Sequence, residues 1–153
     1  MKNLYYLILL LLVTSCKEKV TFEGGISNNV GMEVSFVDTN GEDLLNQDNP
    51  NAFSKHDIFL YHQINGKKTL YSTGPMMDAP NGIAFYCERP LCAIKIHKLA
   101  DTTYLELNDF VTDTIYSETL KKGTRSYTSK IWYNGKFLWD IENGGEKYFT
   151  IVK

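Results

Sequence analysis

Apolar and polar residues alternate with a period of two along most of this 153-residue chain. That is the signature of strands with one buried face. Met32, Val34 and Phe36 alternate with Glu33, Ser35 and Val37. Ile58, Leu60 and His62 alternate with Phe59, Tyr61 and Gln63, and lead into Asn65-Gly66. Asn-Gly is the strongest short hairpin signal, because a type I′ turn needs positive φ at both central residues. A two-residue turn there pairs Ile64 with Lys67, His62 with Thr69 and Leu60 with Tyr71. Ile83, Phe85 and Cys87 share a face before the turn 88–91, and Cys92, Ile94 and Ile96 share one after it. Thr103, Leu105 and Leu107 form another apolar face, and Ile115 is the core residue of a strand over 112–119. Lys121-Lys122-Gly123 reads as a turn. Asn134-Gly135 predicts a second type I′ hairpin, pairing Tyr133 with Lys136, Trp132 with Phe137, Ile131 with Leu138 and Lys130 with Trp139. A further strand, 148–152, is apolar on both faces, which predicts a buried third strand of a C-terminal meander. With a short first strand at Val20-Thr21-Phe22, the pattern amounts to about nine short strands and no sustained helical period. The fold class is therefore all-β: an antiparallel β-sandwich, immunoglobulin-like or related, with a small closed β-barrel as the alternative.

The first residues follow another rule. Lys2 precedes an uninterrupted apolar run over 4–13. That run suits a signal-peptide core and falls short of the ~20 residues a membrane-spanning helix needs. Val13-Thr14-Ser15-Cys16 resembles a bacterial lipobox: an aliphatic residue, two small residues, then cysteine. The resemblance implies a lipoprotein signal peptide over 1–15, cleavage before Cys16, and a diacylglyceryl group on the Cys16 sulfur with acylation of the new amine. Two or three acyl chains make a durable membrane anchor where one is marginal. Residues 16–19 are then a short tether, and 20–153 a single β domain. Lys17 stands where inner-membrane lipoproteins usually carry aspartate, so the expected address is the outer membrane, on either of its faces.

Composition agrees with an exported β domain. Ten tyrosines and eight phenylalanines against four prolines favour strands. The formal net charge of -2 has no clustered basic face of the kind that binds nucleic acid. There are three cysteines. With Cys16 lipidated, Cys87 and Cys92 remain as an even pair across a predicted hairpin, a disulfide in an oxidising compartment.

The candidate chemistry is sparse. The stretch 38–46 has the acidic spacing of a calcium loop, but its glycine and distal glutamate are misplaced for an EF-hand, so a turn at Asn40-Gly41 is the better reading. His56, His62 and His97 have no metal-ligand spacing, and Cys87 and Cys92 lack the second pair a zinc site needs. Asp109 and Asp113 could form an acid–base pair, but nothing in the sequence brings them to one cleft, and they are expected to be solvated loop acids. No nucleophile elbow, phosphate loop or dinucleotide fingerprint occurs. Hence no catalytic residue, metal or cofactor is expected. The most suggestive group is Trp132, Phe137 and Trp139, placed by the predicted register on one face of the second hairpin. Facing outward they would be a binding platform. Ile141 on the same face favours the core.

The segments 37–46, 57–61 (Asp-Ile-Phe-Leu-Tyr), 113–115 (Asp-Thr-Ile) and 131–136 (Ile-Trp-Tyr-Asn-Gly-Lys) resemble small lipoproteins of Bacteroidetes type. The resemblance implies a cell-envelope location and β-architecture, and brings no activity with it. The expected function is that of a membrane-anchored, non-catalytic envelope lipoprotein binding a protein or glycan partner. The alternative is an envelope inhibitor or immunity lipoprotein that inserts loop 39–54 or 121–125 into an attacking hydrolase. A hydrolase whose site is not visible in motifs is the third.

Overall fold

The structure is a computed structural model that describes residues 30–71, 83–108 and 111–153. Its strands are β1 (Met32–Val37), β2 (Phe59–Ile64), β3 (Lys67–Leu70), β4 (Ile83–Tyr86), β5 (Ala93–Ile96), β6 (Thr102–Asn108), β7 (Val111–Lys122), β8 (Arg125–Tyr133), β9 (Lys136–Asp140) and β10 (Tyr148–Val152). A 3-10 turn at Lys55–Asp57 precedes β2. The strands form a four-stranded sheet ordered β10-β1-β5-β4 and a six-stranded sheet ordered β3-β2-β6-β7-β8-β9. Neither closes on itself, so the fold is a β-sandwich and the barrel alternative is excluded. Both Asn-Gly turns carry the positive φ expected of type I′, 51° and 76° at Asn65-Gly66 and 47° and 79° at Asn134-Gly135.

The inward faces follow the two-residue period. Met32, Val34 and Phe36 of β1, Ile94 and Ile96 of β5 and Ile83 of β4 meet Leu60 of β2, Leu105 and Leu107 of β6, Ile115 of β7 and Ile131 of β8 in one core. The connection after β1 is irregular but not loose. Leu44 and Leu45 are buried in the core, and Phe53 packs edge-on against Phe36 with ring centres 6.0 Å apart.

Three expectations need correction. First, β10 does not continue a meander beside β9. It crosses to the other sheet and pairs in parallel with β1, Glu33 opposite Tyr148 through Val37 opposite Val152. The turn after β9 bends through Gly144 and Gly145, both at positive φ (66° and 86°), and so redirects the chain. β10 is then an edge strand, with Val152 62% exposed, not one buried on both sides. Second, 121–122 are not a turn: β7 and β8 both run on to a turn at Gly123-Thr124. Third, Asp113 is not a solvated loop acid. It sits on the inward face of β7, 3% exposed. The signal peptide, Cys16 and its tether, the strand at 20–22 and Asp109 lie outside the described residues.

Candidate binding face

The order β6-β7-β8-β9 lines up side chains that are distant in sequence. Thr102 lies opposite Tyr116, Tyr116 opposite Trp132, and Trp132 opposite Phe137. These residues alternate with the buried Ile115, Ile131 and Tyr133, so the row stands on the outer face of the six-stranded sheet. Tyr116 and Phe137 are 46% and 47% exposed, although open sheet surface normally carries polar side chains. Ring centres are 5.2 Å apart for Tyr116–Trp132 and 5.5 Å for Trp132–Phe137, in tilted and edge-on contacts. Such contacts hold the rings in place while leaving their outer edges in solvent.

The same face continues over β6 and β2, where Tyr104 lies opposite both Tyr61 and Thr114. Tyr104 donates its hydroxyl to Gln63 Oε1 at 3.0 Å. Lys68 lies over the Tyr61 ring at 4.4 Å and pairs with Glu106. Desolvation, and then Glu106, push the Tyr61 phenol upward, so it stays a neutral donor at ordinary pH. Lys130 pairs with Glu118 at 3.6 Å. The face thus offers aromatic rings, an amide and hydroxyls, with its charges matched in pairs.

The predicted trio is split. Trp132 and Phe137 share the outer face, but Trp139 lies opposite Ile131, and Lys130 lies opposite Asp140. A register shift between Ile131 and Trp132 sets two residues of β9, Phe137 and Leu138, against one of β8. Such a bulge moves every later side chain to the other face. Trp139 accordingly packs against the core, donating its ring N–H to Gly145 O at 3.4 Å. Sequence reasoning also missed Tyr61, Tyr104 and Tyr116. Their alternation with buried neighbours was readable, but the order of the strands was not.

The remaining candidates have structural partners. Cys87 and Cys92 form a disulfide, Cα atoms 4.1 Å apart, across the β4–β5 turn. Two carboxylates of 38–46, Asp38 and Asp43, cap backbone. Asp38 accepts N–H groups of Asn40 and Glu42, both at 2.8 Å, and Asp43 accepts those of Leu45 at 2.8 Å and Cys92 at 2.6 Å. The Glu42 N–H bond is the main cause holding the Asp38 carboxyl below its ordinary value. Among the described residues no three His, Cys, Asp or Glu side chains converge as metal ligands would. His56 and His97 are exposed. His62 is buried, stacked on Tyr71 at 4.3 Å, with Nε2 3.2 Å from Lys98 O. Asp113 accepts from the Tyr133 hydroxyl, from Asn134 Nδ2 at 2.7 Å and from the Lys153 ammonium. Burial first, and Asp113 second, push the Tyr133 phenol far up. Every group in this cluster already has its partner, and the cluster fastens the six-stranded sheet to the end of β10.

The outer face of the four-stranded sheet is closed by its own side chains. Ser35 Oγ and Tyr148 Oη lie 2.8 Å apart, and the Arg89 guanidinium covers the Tyr148 ring at 4.6 Å. Arg89 also pairs with Glu146 at 3.0 Å and Glu33 at 3.6 Å. Beneath this cover Ser35 and Ala93 are fully buried. No family model, curated protein or solved structure matches the chain.

Proposed function

We propose that this chain is a lipid-anchored, non-catalytic domain of the bacterial cell envelope, of the Bacteroidetes lipoprotein type. Its partner is a glycan, bound on the outer face of the six-stranded sheet. The anchor reading rests on the lipobox-like Val13-Thr14-Ser15-Cys16. The binding reading is carried by one observation, the outward row Tyr116–Trp132–Phe137, with Tyr116 and Phe137 exposed and Trp132 half-buried between them. Aromatic rings pack on the apolar faces of sugars, and flanking hydroxyl and amide groups bond their hydroxyls. Gln63, Thr102 and Thr114 supply such groups. The Lys68–Glu106 and Lys130–Glu118 pairs keep the surface near neutral, which suits an uncharged sugar chain better than a polyanion.

The test is calorimetric titration of the chain with soluble fragments of envelope polysaccharide, alongside Trp132→Ala. The variant is expected to bind at least about tenfold more weakly, a loss of about 1.4 kcal/mol. Binding unchanged in the variant overturns the assignment of this face. Absence of glycan binding, with capture of an envelope protein that Trp132→Ala abolishes, would move the partner to the protein class and keep the face. Of the two loops an inhibitor would insert, 39–54 is held down by the Asp38 and Asp43 caps and by Leu44 and Leu45. Only the tip 121–125 is free to serve that reading.

A further inference from the structure

The tip belongs to a two-stranded arm. β6 pairs with β7 only from Asn108–Val111 to Thr102–Tyr116, and β9 pairs with β8 only over Lys130–Tyr133. Beyond Glu118 a register shift intervenes, after which β7 and β8 pair with each other alone, from Thr119–Thr128 to Lys122–Arg125. Residues 119–124 are all exposed, with Leu120 54% exposed, while their β8 partners Arg125, Ser126 and Tyr127 are half-buried and Thr128, at the root, is buried. An isolated two-strand ribbon is marginal in water, since it loses chain entropy without burying a core, so its extension adds little to the fold.

Its charge is opposite to that of the chain. The arm carries Lys121, Lys122 and Arg125 and no acid over 119–127, while the whole chain has a formal net charge of -2. Among the described residues none of these three cations has a carboxylate partner, unlike Lys68, Arg89, Lys95, Lys130 and Lys153.

The position of the arm names its occupant. The Val30 carbonyl accepts the Leu99 N–H at 2.9 Å. Gly31 passes so close to the Ile96 and His97 carbonyls that a Cβ would lie 2.2 Å from Ile96 O. In the next residues, Ala100 O accepts the Ser117 hydroxyl at 2.9 Å and Asp101 O accepts the Ser117 N–H at 3.0 Å. Val30, where the described chain begins, is therefore beside the root of the arm, at the same end of the molecule.

We propose that the arm is a second membrane contact. On a bilayer holding the acylated Cys16, Lys121, Lys122 and Arg125 meet anionic lipid headgroups and Leu120 enters the interface. Each basic residue close to an anionic surface raises occupancy about fivefold, so three give about a hundredfold. One apolar side chain among them adds insertion at the headgroup boundary. The aromatic row, on the flank of the sheet, stays open to a ligand. The proposal rests on the anchor reading given above, and not on the glycan reading.

The full chain, purified with its anchor, is reconstituted on vesicles of phosphatidylcholine alone or mixed with phosphatidylglycerol. A Leu120→Cys variant carries an environment-sensitive fluorophore, and tryptic cleavage at 121, 122 and 125 is followed in the unaltered chain. The expected result is flotation with both vesicles, but a blue shift and at least tenfold slower cleavage only on the anionic ones. Both effects disappear at high salt, and the blue shift disappears when Lys121→Gln, Lys122→Gln and Arg125→Gln are combined with Leu120→Cys. A water-exposed probe and unprotected arm on anionic vesicles overturn the proposal, as do equal effects on neutral ones. Flotation with anionic vesicles alone, lost in the triple variant, supports the arm and overturns the anchor. Flotation with neither overturns both.

Discussion

At the end of the sandwich where β1 finishes, charges are buried and covalent and ionic ties accumulate. Asp113 takes bonds from Tyr133, Asn134 and Lys153. The Cys87–Cys92 bond closes the β4–β5 turn, and Asp43 holds the Cys92 N–H. At the opposite end, where β1 begins, the exposed Lys121 and Lys122 and the half-buried Arg125 lie on a ribbon and have no carboxylate partner among the described residues. The difference follows from solvation. A charge taken out of water must be paired and hydrogen-bonded, whereas an exposed charge needs no partner for the fold and can be kept for another surface. One end is thus committed to holding the sheets together, and the other is available for contact.

The contrast is testable in graded steps. Asp113→Ala leaves the buried Tyr133 hydroxyl and the Lys153 ammonium without their acceptor, and is expected to cost about 3 kcal/mol in urea denaturation. A loss below about 1 kcal/mol would erase the claim that this end fastens the sandwich. The double change Cys87→Ser, Cys92→Ser is expected to cost about 2 kcal/mol, because the closed loop is short. Non-reducing mass spectrometry with both thiols free would remove the tie itself.

A smaller effect belongs to His62, near the arm end. Burial holds its imidazole below the ordinary 6.5, so the unfolded chain binds more protons than the folded one as pH falls through 6.5. Stability contributed by neutral His62 is present above that value and declines below it, levelling off under the folded pKa. Thermal melts between pH 7 and 5 should show this decline in the native chain and a weaker one in His62→Gln. Equal declines would place the sensitivity elsewhere. The smallest expected effect is that of the arm charges. The triple Gln variant should unfold within about 0.5 kcal/mol of the native chain, and a larger loss would show the arm to be structural.

Much of the fold was legible because a strand with one buried face writes its orientation into every second residue. The core positions Val34, Leu60, Leu105, Ile115 and Ile131 followed from alternation, and both type I′ turns from Asn-Gly. Misreadings arose where one residue changes parity or where the chain crosses between sheets. The bulge at Leu138 turned Trp139 inward, and the glycines after β9 carried β10 to a parallel partner. The candidate face was half legible: Trp132 and Phe137 were visible across a local turn, while Tyr61, Tyr104 and Tyr116 joined them only through strand order.

What the sequence determined by itself is local in origin: the class of fold, the inward residues, the two tight turns, the pairing of Cys87 with Cys92 across a short turn, and the lipobox-like start. Each depends on side-chain period or on backbone conformations available to few residues. What only the tertiary structure decided is which strands are neighbours, and hence which outward side chains form one surface. Outward residues make few contacts within their own strand, so nothing local records which others stand beside them. Asp113 shows the same limit for the interior: Tyr133 and Asn134, 20 and 21 residues away, reach it only when β8 pairs beside β7, and Lys153, 40 residues away, only when the two sheets close.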